Sequence, residues 1–228
     1  MKKIILNPLK FLTIICSFVG IIICLFTAKY DGYSHWTKRL LYFTNQSNIW
    51  IFIIMFLSLF SFAKSDKINK YSMFIARYIF TTSIILTGVI FCCFLGPFAD
   101  ESYHAFSVSG VLLHVVVPLL AVVDFFTQKE RFFINKKVAL LTIIPPLIYL
   151  ILSSILFVFN VDFGRGDNFP YFFLNYLSPA GFVGFSSISP YYFGSFYWII
   201  ILFLIVVLIS FLLVKFNNKV YLKRNKTT

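Results

Sequence analysis

Two short segments carry the side chains best suited to chemistry in this sequence. One is the run from Thr44 to Asn48 (TNQSN), in which hydroxyl and amide side chains stand together, and the other is LLHVVVP, which contains His114. A neutral imidazole can accept the proton of a hydroxyl that attacks an ester carbonyl, and an amide can donate to the developing oxyanion. Thr44 and Ser47 both offer the hydroxyl. Asn45, Ser47 and Asn48 are also candidates for holding the substrate or the oxyanion.

Structural roles compete with this chemistry. A buried imidazole needs only one hydrogen-bond partner on a neighbouring helix, and a Thr followed by Asn and Ser is also typical of an interfacial helix cap. Asp124 lies ten positions after His114, about 15 Å along a helix, which is too far to orient the imidazole. We expect Asp124 to be a helix-end carboxylate near basic loop residues.

Metal binding is a second chemical alternative. Imidazole and carboxylate groups form a plausible zinc set, and the residues concerned are Asp31, His35, Asp100, Glu101 and His104. Their spacing matches no HExxH-type motif, so we expect no metal and no other cofactor. The four cysteines lie in apolar runs, which argues against a disulfide framework and against a CxxC metal cluster.

The composition shows what kind of protein must position these residues. Of the 228 residues, 60% are hydrophobic and 12% are charged, and the mean hydropathy is +0.89. Soluble domains are less apolar than this, so the sequence predicts an integral membrane protein. The net charge of +12 does not indicate a nucleic-acid partner, because the basic residues occur in short segments between apolar runs rather than on one soluble face.

The apolar runs predict an all-α, polytopic fold with six transmembrane helices in a single domain, residues 1–228. Each run has about the 20 residues that a hydrocarbon layer of roughly 30 Å requires. The first run exceeds a typical signal-peptide core and no clean cleavage site follows it. The predicted spans are 11–28, 42–63, 78–98, 107–126, 138–159 and 196–214.

The distribution of Lys and Arg predicts the orientation. Of the 20 basic residues, 16 lie in the two terminal segments and the loops after the second and fourth spans. The positive-inside rule then puts both termini in the cytoplasm. Thr44 and His114 fall in the outer half of the membrane, on the side of the long connection 160–195. The sequence therefore predicts an outer-leaflet pocket covered by that connection.

Pro118 gives a reason for the fourth span to open beside the histidine. It lacks the N–H that would bond the carbonyl of His114, so that carbonyl is expected to remain available for water or a polar substrate group. Pro145 and Pro146 similarly predict a kink in the fifth span.

Three segments resemble a known family. LLYFTNQSNIW is similar to its F-T-x-x-S-N element, LLHVVVPLLAVVDFF to its L-H-x-x-x-P element with a following Asp, and NFPYFFLNY to its Y-P-F-L element. The family is that of bacterial six-helix integral membrane proteins related to the androgen-induced/FAR-17a-like proteins. The three segments occur in the expected order, from residue 42 to residue 176.

The resemblance implies a fold and an activity. The fold is a six-helix bundle with cytoplasmic termini, and the activity of the animal members is threonine-dependent hydrolysis of fatty acid esters of hydroxy fatty acids. The family's catalytic Thr and His correspond to Thr44 and His114. Asn175 is a further candidate for substrate binding, and it stands where an acidic residue is common in the family.

Two functions follow as hypotheses. The first is an intramembrane lipid-ester hydrolase in which Thr44 is the nucleophile and His114 the general base. The second is a lipid-binding, transport or membrane-assembly protein that performs no covalent chemistry. In both, the expected partner is a membrane lipid or fatty acyl ester, with no nucleic acid, in a bacterial plasma membrane.

Overall fold

The computed structural model describes residues 8–61, 67–98 and 106–226. Within these residues the chain is helical, and its only β-type pairing is an isolated bridge between Phe185 and Phe193. Six long helical segments carry the fold. They are α1 (Pro8–Phe26), α2 (Phe43–Ser61), α3 (Lys67–Ile90), α4 (Val108–Thr127), α5 (Lys136–Val158) and α6 (Ser195–Asn225).

Five of these segments in the described part of the chain are long and apolar enough to cross a membrane: α1, α3, α4, α5 and α6. The apolar part of α2 is shorter and covers Phe43–Leu59. The protein is therefore an all-helical, multi-pass membrane protein, as its composition predicts.

Two helices extend beyond the predicted spans. The third begins at Lys67 instead of residue 78, and the last continues to Asn225 instead of ending at residue 214. Hydropathy detects only the part of a helix that lies in hydrocarbon, whereas Lys and Arg are good helix formers and continue the helix into the interface. Contacts with the loop after α4 hold the extension of α6, because Asn217 accepts a hydrogen bond from Arg131 at 3.0 Å.

The fifth span changes its helix type at the two prolines for which a kink is predicted. A 3₁₀ segment, Leu140–Ile143, precedes an α-helical segment, Ile144–Val158, and the two prolines occupy the first turn of that segment. A first turn needs no intrahelical N–H donor, so proline is well tolerated there. The prolines therefore mark a change of helix type within α5.

Small and polar residues pack the first four helices closely. The Ser47 hydroxyl on α2 lies 2.7 Å from the Thr87 hydroxyl on α3. Gly20 on α1 faces Leu113 on α4, where an added Cβ would lie 2.7 Å from Leu113 Cδ2. Short side chains allow such approach in membranes, where dispersion contacts and hydrogen bonds replace the hydrophobic effect between helices.

The two ends of the bundle differ in character. At one end, Asp124 of α4 forms a buried ion pair with Arg77. Its expected partner was a basic loop residue, but Arg77 lies within α3 because that helix starts early. Thr44, His114 and the long connection lie at the opposite end.

The long connection folds back over this second end, in agreement with its composition. It is tied to the segment between α1 and α2, because Lys38 Nζ donates to the Asp162 carbonyl at 2.6 Å and the Ser34 amide donates to the Gly164 carbonyl at 2.7 Å. Gly164 is required in this contact. Its φ is +118°, and an added Cβ would lie 2.5 Å from the Tyr33 ring.

Candidate functional site

A polar cavity of about 350 Å³ lies beneath the long connection. Both Thr44 and His114 line it, although 70 positions separate them along the chain. The first turns of α2 and α4 form its floor, and residues of the connection, including Arg165 and Tyr171, form its roof. The structure thus brings the predicted hydroxyl and imidazole to the wall of one cavity.

His114 lies in the middle of a π-helical segment of α4, Leu112–Val116. Its Nδ1 is 2.8 Å from the Gly110 carbonyl. A carbonyl only accepts hydrogen bonds, so Nδ1 carries the proton and Nε2 is the basic nitrogen. Among the described residues, Nε2 has no hydrogen-bond partner from the protein. The ring also stacks on Phe91, with 4.2 Å between centroids, which fixes its plane.

The carbonyl of His114 does not have the expected role. Pro118 removes its normal partner, and the helix widens so that the Val117 amide donates to the Leu112 carbonyl. The His114 carbonyl then packs against Gly88 of α3, where an added Cβ would lie 3.0 Å from the oxygen. Pro118 therefore produces a π-helical widening and a close α3–α4 contact, without presenting this acceptor to the cavity.

Thr44 is the second residue of α2 and is 9% exposed. Its amide and its hydroxyl both lie near Tyr171 of the long connection. The Thr44 amide donates to Tyr171 Oη at 3.3 Å, and the Thr44 hydroxyl lies 3.5 Å from the same oxygen. Within the part of the chain that the structure describes, Thr44 makes no hydrogen bond to His114. The two groups face a shared space rather than each other.

Asn48 connects the backbone at Thr44 on α2 to the backbone next to His114 on α4. Its Nδ2 donates to the Thr44 carbonyl at 2.8 Å and to the Leu113 carbonyl at 3.1 Å. An amide nitrogen has two hydrogens, so both are used, and the residue is fully buried outside the cavity lining. Asn48 therefore joins α2 to α4 next to His114 and does not act as the expected oxyanion donor in this conformation.

The other predicted binding residues divide between cavity and scaffold. Asn45 lines the cavity, and its Nδ2 donates to the Arg39 carbonyl at 2.8 Å. Ser47 is fully buried outside the cavity lining and donates to the Thr44 carbonyl at 3.0 Å. Asn175 accepts from the Leu177 amide at 3.1 Å and shapes a turn away from the cavity. Ser47 is thus structural, contrary to expectation, because its hydroxyl is used within the protein, and Asn175 lies outside the cavity lining.

Charged residues of the cavity were not among the predicted site residues. Arg39 and Arg165 both place their guanidinium groups over the Tyr33 ring, at 4.0 and 4.9 Å from its centroid. Arg39 also pairs with Asp31, and Asp167 lines the same space. Burial and the neighbouring charge of Asp162 raise the pKa of Asp167. One sequence feature could have indicated a charged cavity, namely the presence of Arg165 on the side that is otherwise poor in basic residues.

An apolar cavity of about 70 Å³ adjoins the polar one. It lies between α2, α3, α5 and α6, and its walls are chiefly aliphatic and aromatic side chains. Three residues line both cavities: Thr44, Leu95 and Tyr171. The Thr44 hydroxyl therefore stands at the boundary between a polar chamber and an apolar slot.

The described residues contain no group of three or more His, Cys, Asp or Glu side chains arranged to hold a metal. His35, one of the candidates, bonds the Thr37 hydroxyl through Nδ1 at 2.8 Å. Asp100, Glu101 and His104 lie outside the described residues. The cysteines Cys16, Cys24, Cys92 and Cys93 are all unpaired thiols.

Compared with protein-family models, with curated proteins and with solved structures, this chain gives no match.

Proposed function

We propose that this protein is an intramembrane lipid-ester hydrolase with Thr44 as nucleophile and His114 as general base. One observation carries the proposal: Thr44 and His114 line the same polar cavity, and this cavity meets an apolar slot at Thr44. A lipid ester has this same polarity, since its acyl chain is apolar and its other end is polar. The boundary is where its ester carbonyl would lie.

The tautomer of His114 supports its role as base. Nε2 has a free lone pair because Nδ1 donates to the Gly110 carbonyl. In the proposed first step, Thr44 Oγ1 attacks the ester carbonyl carbon and His114 Nε2 takes the hydroxyl proton. The tetrahedral intermediate then expels the alcohol, which receives that proton from His114. Water hydrolyses the acyl-threonine with the same base.

The cavity also favours a substrate that has a polar group beyond the ester. Arg39 and Arg165 lie in the polar chamber together with Asp31 and Asp167. Guanidinium groups are good partners for carboxylates. The fatty acid esters of hydroxy fatty acids suggested by the family resemblance carry such a carboxylate, and we propose this class as the substrate.

We further propose six membrane spans with both termini in the cytoplasm of a bacterial cell. The α2 helix has 19 residues, a length of about 28 Å, which is close to the hydrocarbon thickness. The excess of Lys and Arg at the end of the bundle opposite the cavity supports the orientation. The cavity then lies in the outer half of the plasma membrane.

The test is ester hydrolysis by purified protein in detergent, with long-chain ester substrates and a fluorophosphonate probe. We expect Thr44→Ala and His114→Ala each to lower kcat/KM at least about 10³-fold, since nucleophile and base act as a unit. Ser58→Ala is the matched control, because that α2 hydroxyl bonds only the Met55 carbonyl of its own helix, at 2.7 Å. Full turnover and labelling in both Thr44→Ala and His114→Ala would contradict the proposal.

A lipid-binding or transport protein without covalent chemistry is the second candidate. It is favoured by one observation: the polar partner of the Thr44 hydroxyl is Tyr171, not His114. In that case a long-chain ester would bind stoichiometrically and be recovered intact, and Thr44→Ala would change its affinity only modestly.

A further inference from the structure

We infer that Tyr171 is a catalytic residue of the proposed reaction, in which its hydroxyl and the Thr44 amide together form the oxyanion hole. The inference rests on the proposed hydrolase function and identifies the groups that would stabilise the negative charge on the carbonyl oxygen. No sequence pattern pointed to Tyr171 for this role, and Asn48, one of the amide donors that the sequence offered, has both amide hydrogens bonded to backbone carbonyls.

The position of the Tyr171 hydroxyl carries the inference. Tyr171 Oη lies 3.3 Å from the Thr44 amide nitrogen and 3.5 Å from Thr44 Oγ1. Both donors therefore converge beside the attacking oxygen. When Oγ1 bonds to a carbonyl carbon, the carbonyl oxygen lies one bond further out, within reach of donors grouped around Oγ1. Tyr171 and Thr44 also both line the boundary between the polar and apolar cavities.

The surroundings of Tyr171 make it a fixed donor. Its ring stacks on Phe173, with 5.0 Å between centroids and 14° between planes, and meets the edge of Tyr42 at 5.7 Å. Burial raises the pKa of Tyr171 to about 12, despite hydrogen bonds to Thr44 that lower it. The hydroxyl therefore keeps its proton at neutral pH and can donate it in a hydrogen bond.

The Thr44 amide is a suitable second donor for a local reason. It belongs to the first turn of α2, where backbone N–H groups have no intrahelical acceptor. Its partner in this structure is Tyr171 Oη, which a substrate oxygen can replace. The Tyr171 hydroxyl then turns its hydrogen to the same oxygen, so both groups donate to it.

The proposed reaction begins with the transfer of one proton and the formation of one covalent bond. The Oγ1–H bond of Thr44 breaks, its proton passes to His114 Nε2, and the Oγ1–C bond forms. The π electrons of the carbonyl move to its oxygen, whose negative charge accepts hydrogen bonds from Tyr171 Oη–H and Thr44 N–H. On collapse the electrons return, the C–O bond to the alcohol breaks, and the alcohol takes the proton from His114.

The direct test is Tyr171→Phe, which removes the hydroxyl and keeps the ring. Loss of one oxyanion donor lowers kcat by about 10²- to 10³-fold, and we expect this loss with KM nearly unchanged. Tyr176→Phe is the matched control, because its hydroxyl, on the same connection, bonds Ser154 Oγ at 2.7 Å. A Tyr171→Phe protein with the kcat of the unmodified chain, while Thr44→Ala and His114→Ala are inactive, would overturn the role of Tyr171 and leave the hydrolase proposal standing.

A binding measurement tests the same role independently of turnover. A long-chain trifluoromethyl ketone adds to a threonine hydroxyl and forms an oxyanion, so Tyr171→Phe should weaken its binding on the order of 10- to 100-fold. Binding of the unreactive alkyl chain alone should not change. Equal affinity of Tyr171→Phe and the unmodified protein for the ketone would contradict the inference. Failure of the ketone to label Thr44 in the unmodified protein would instead refute the hydrolase proposal beneath it.

A second variant covers the case in which Tyr171→Phe does not fold. Replacement of Tyr171 by 3-fluorotyrosine keeps the ring and the hydroxyl but makes the hydroxyl a stronger acid. We expect a changed kcat at unchanged thermal stability, because the hydrogen bond to the oxyanion depends on the acidity of the donor. A purely structural tyrosine would show no change in kcat.

Discussion

At the scale of single residues, the site depends on how each polar atom is already used. His114 uses Nδ1 on its own helix and keeps Nε2 for the cavity. Asn48 uses both amide hydrogens on carbonyls of two different helices. Residue type alone suggested that His114 and Asn48 are both reactive, yet His114 lines the cavity, whereas Asn48 lies outside the lining and has both amide hydrogens engaged. A buried polar atom that is already paired costs free energy to redirect.

Asn48→Ala tests its role as a joint between α2 and α4. The variant leaves the carbonyls of Thr44 and Leu113 without their donor, so we expect a loss of stability of about 1–3 kcal/mol together with a lower kcat. Thermal unfolding in detergent and ester hydrolysis measure the two effects. Asn168→Ala is the control, because among the described residues that partly exposed amide bonds Asn160 alone, at 2.9 Å. A lower kcat at unchanged stability would instead favour an oxyanion role for Asn48.

At the scale of elements, two π-helical segments face each other and fix the imidazole. One contains His114 in α4, and the other, Phe91–Leu95, follows α3 and supplies the stacked Phe91 ring. π-helical widenings often occur at functional sites. The contact between α3 and α4 is close because Gly88 lies under the His114 carbonyl. The π-helical segments and the close α3–α4 contact, rather than any one hydrogen bond, thus fix the position of the His114 ring in the cavity wall.

Gly88→Ala tests this contact. Its Cβ would lie 3.0 Å from the His114 carbonyl oxygen and 3.2 Å from Pro118 Cβ, so α4 must move. Overpacking of this kind costs about 1–3 kcal/mol, and we expect a lower kcat as His114 shifts. Gly20→Ala is the comparison, since its Cβ would meet side-chain atoms of α4, Leu113 Cδ2 at 2.7 Å and Leu112 Cβ at 3.2 Å, instead of the His114 backbone. Equal unfolding temperatures and rates for the two variants would contradict a special role for Gly88.

At the scale of the whole molecule, the two ends of the helix bundle contain different kinds of residues. One end contains the cavity, roofed by residues 159–194, and the other contains the buried Arg77–Asp124 pair and most of the basic residues. A roof of aromatic side chains over a polar chamber keeps water and lipid apart at Thr44.

The proposed orientation can be measured with single cysteines. In a background with the native cysteines replaced by Ala, a membrane-impermeant maleimide should label Asn168→Cys in intact cells. It should label Lys129→Cys only after permeabilisation, because the loop after α4 faces the cytoplasm in the proposed topology. The reverse labelling pattern would invert the topology and place the cavity in the inner leaflet.

Much of the architecture is readable from local patterns. The apolar runs located all six long helices to within a few residues at most ends, and the larger errors at Lys67 and Asn225 fall where basic residues continue a helix past the hydrocarbon. Thr44 and His114 were found because a hydroxyl cluster and a histidine are rare in apolar runs. Their positions along the helix axes follow from a constant rise per residue.

The rotation of each helix about its own axis is not readable from local patterns in this way, because it depends on which neighbouring helix each side chain contacts. The sequence by itself determined the class of protein, the approximate positions of its long helices and the two residues proposed for the candidate reaction. Only the tertiary structure decided that Ser47 and Asn48 serve the scaffold, and that Tyr171, 127 positions from Thr44, supplies a hydroxyl beside it. The physical reason is that hydropathy and helix rise are local properties, whereas hydrogen-bond partners depend on the packing of distant segments.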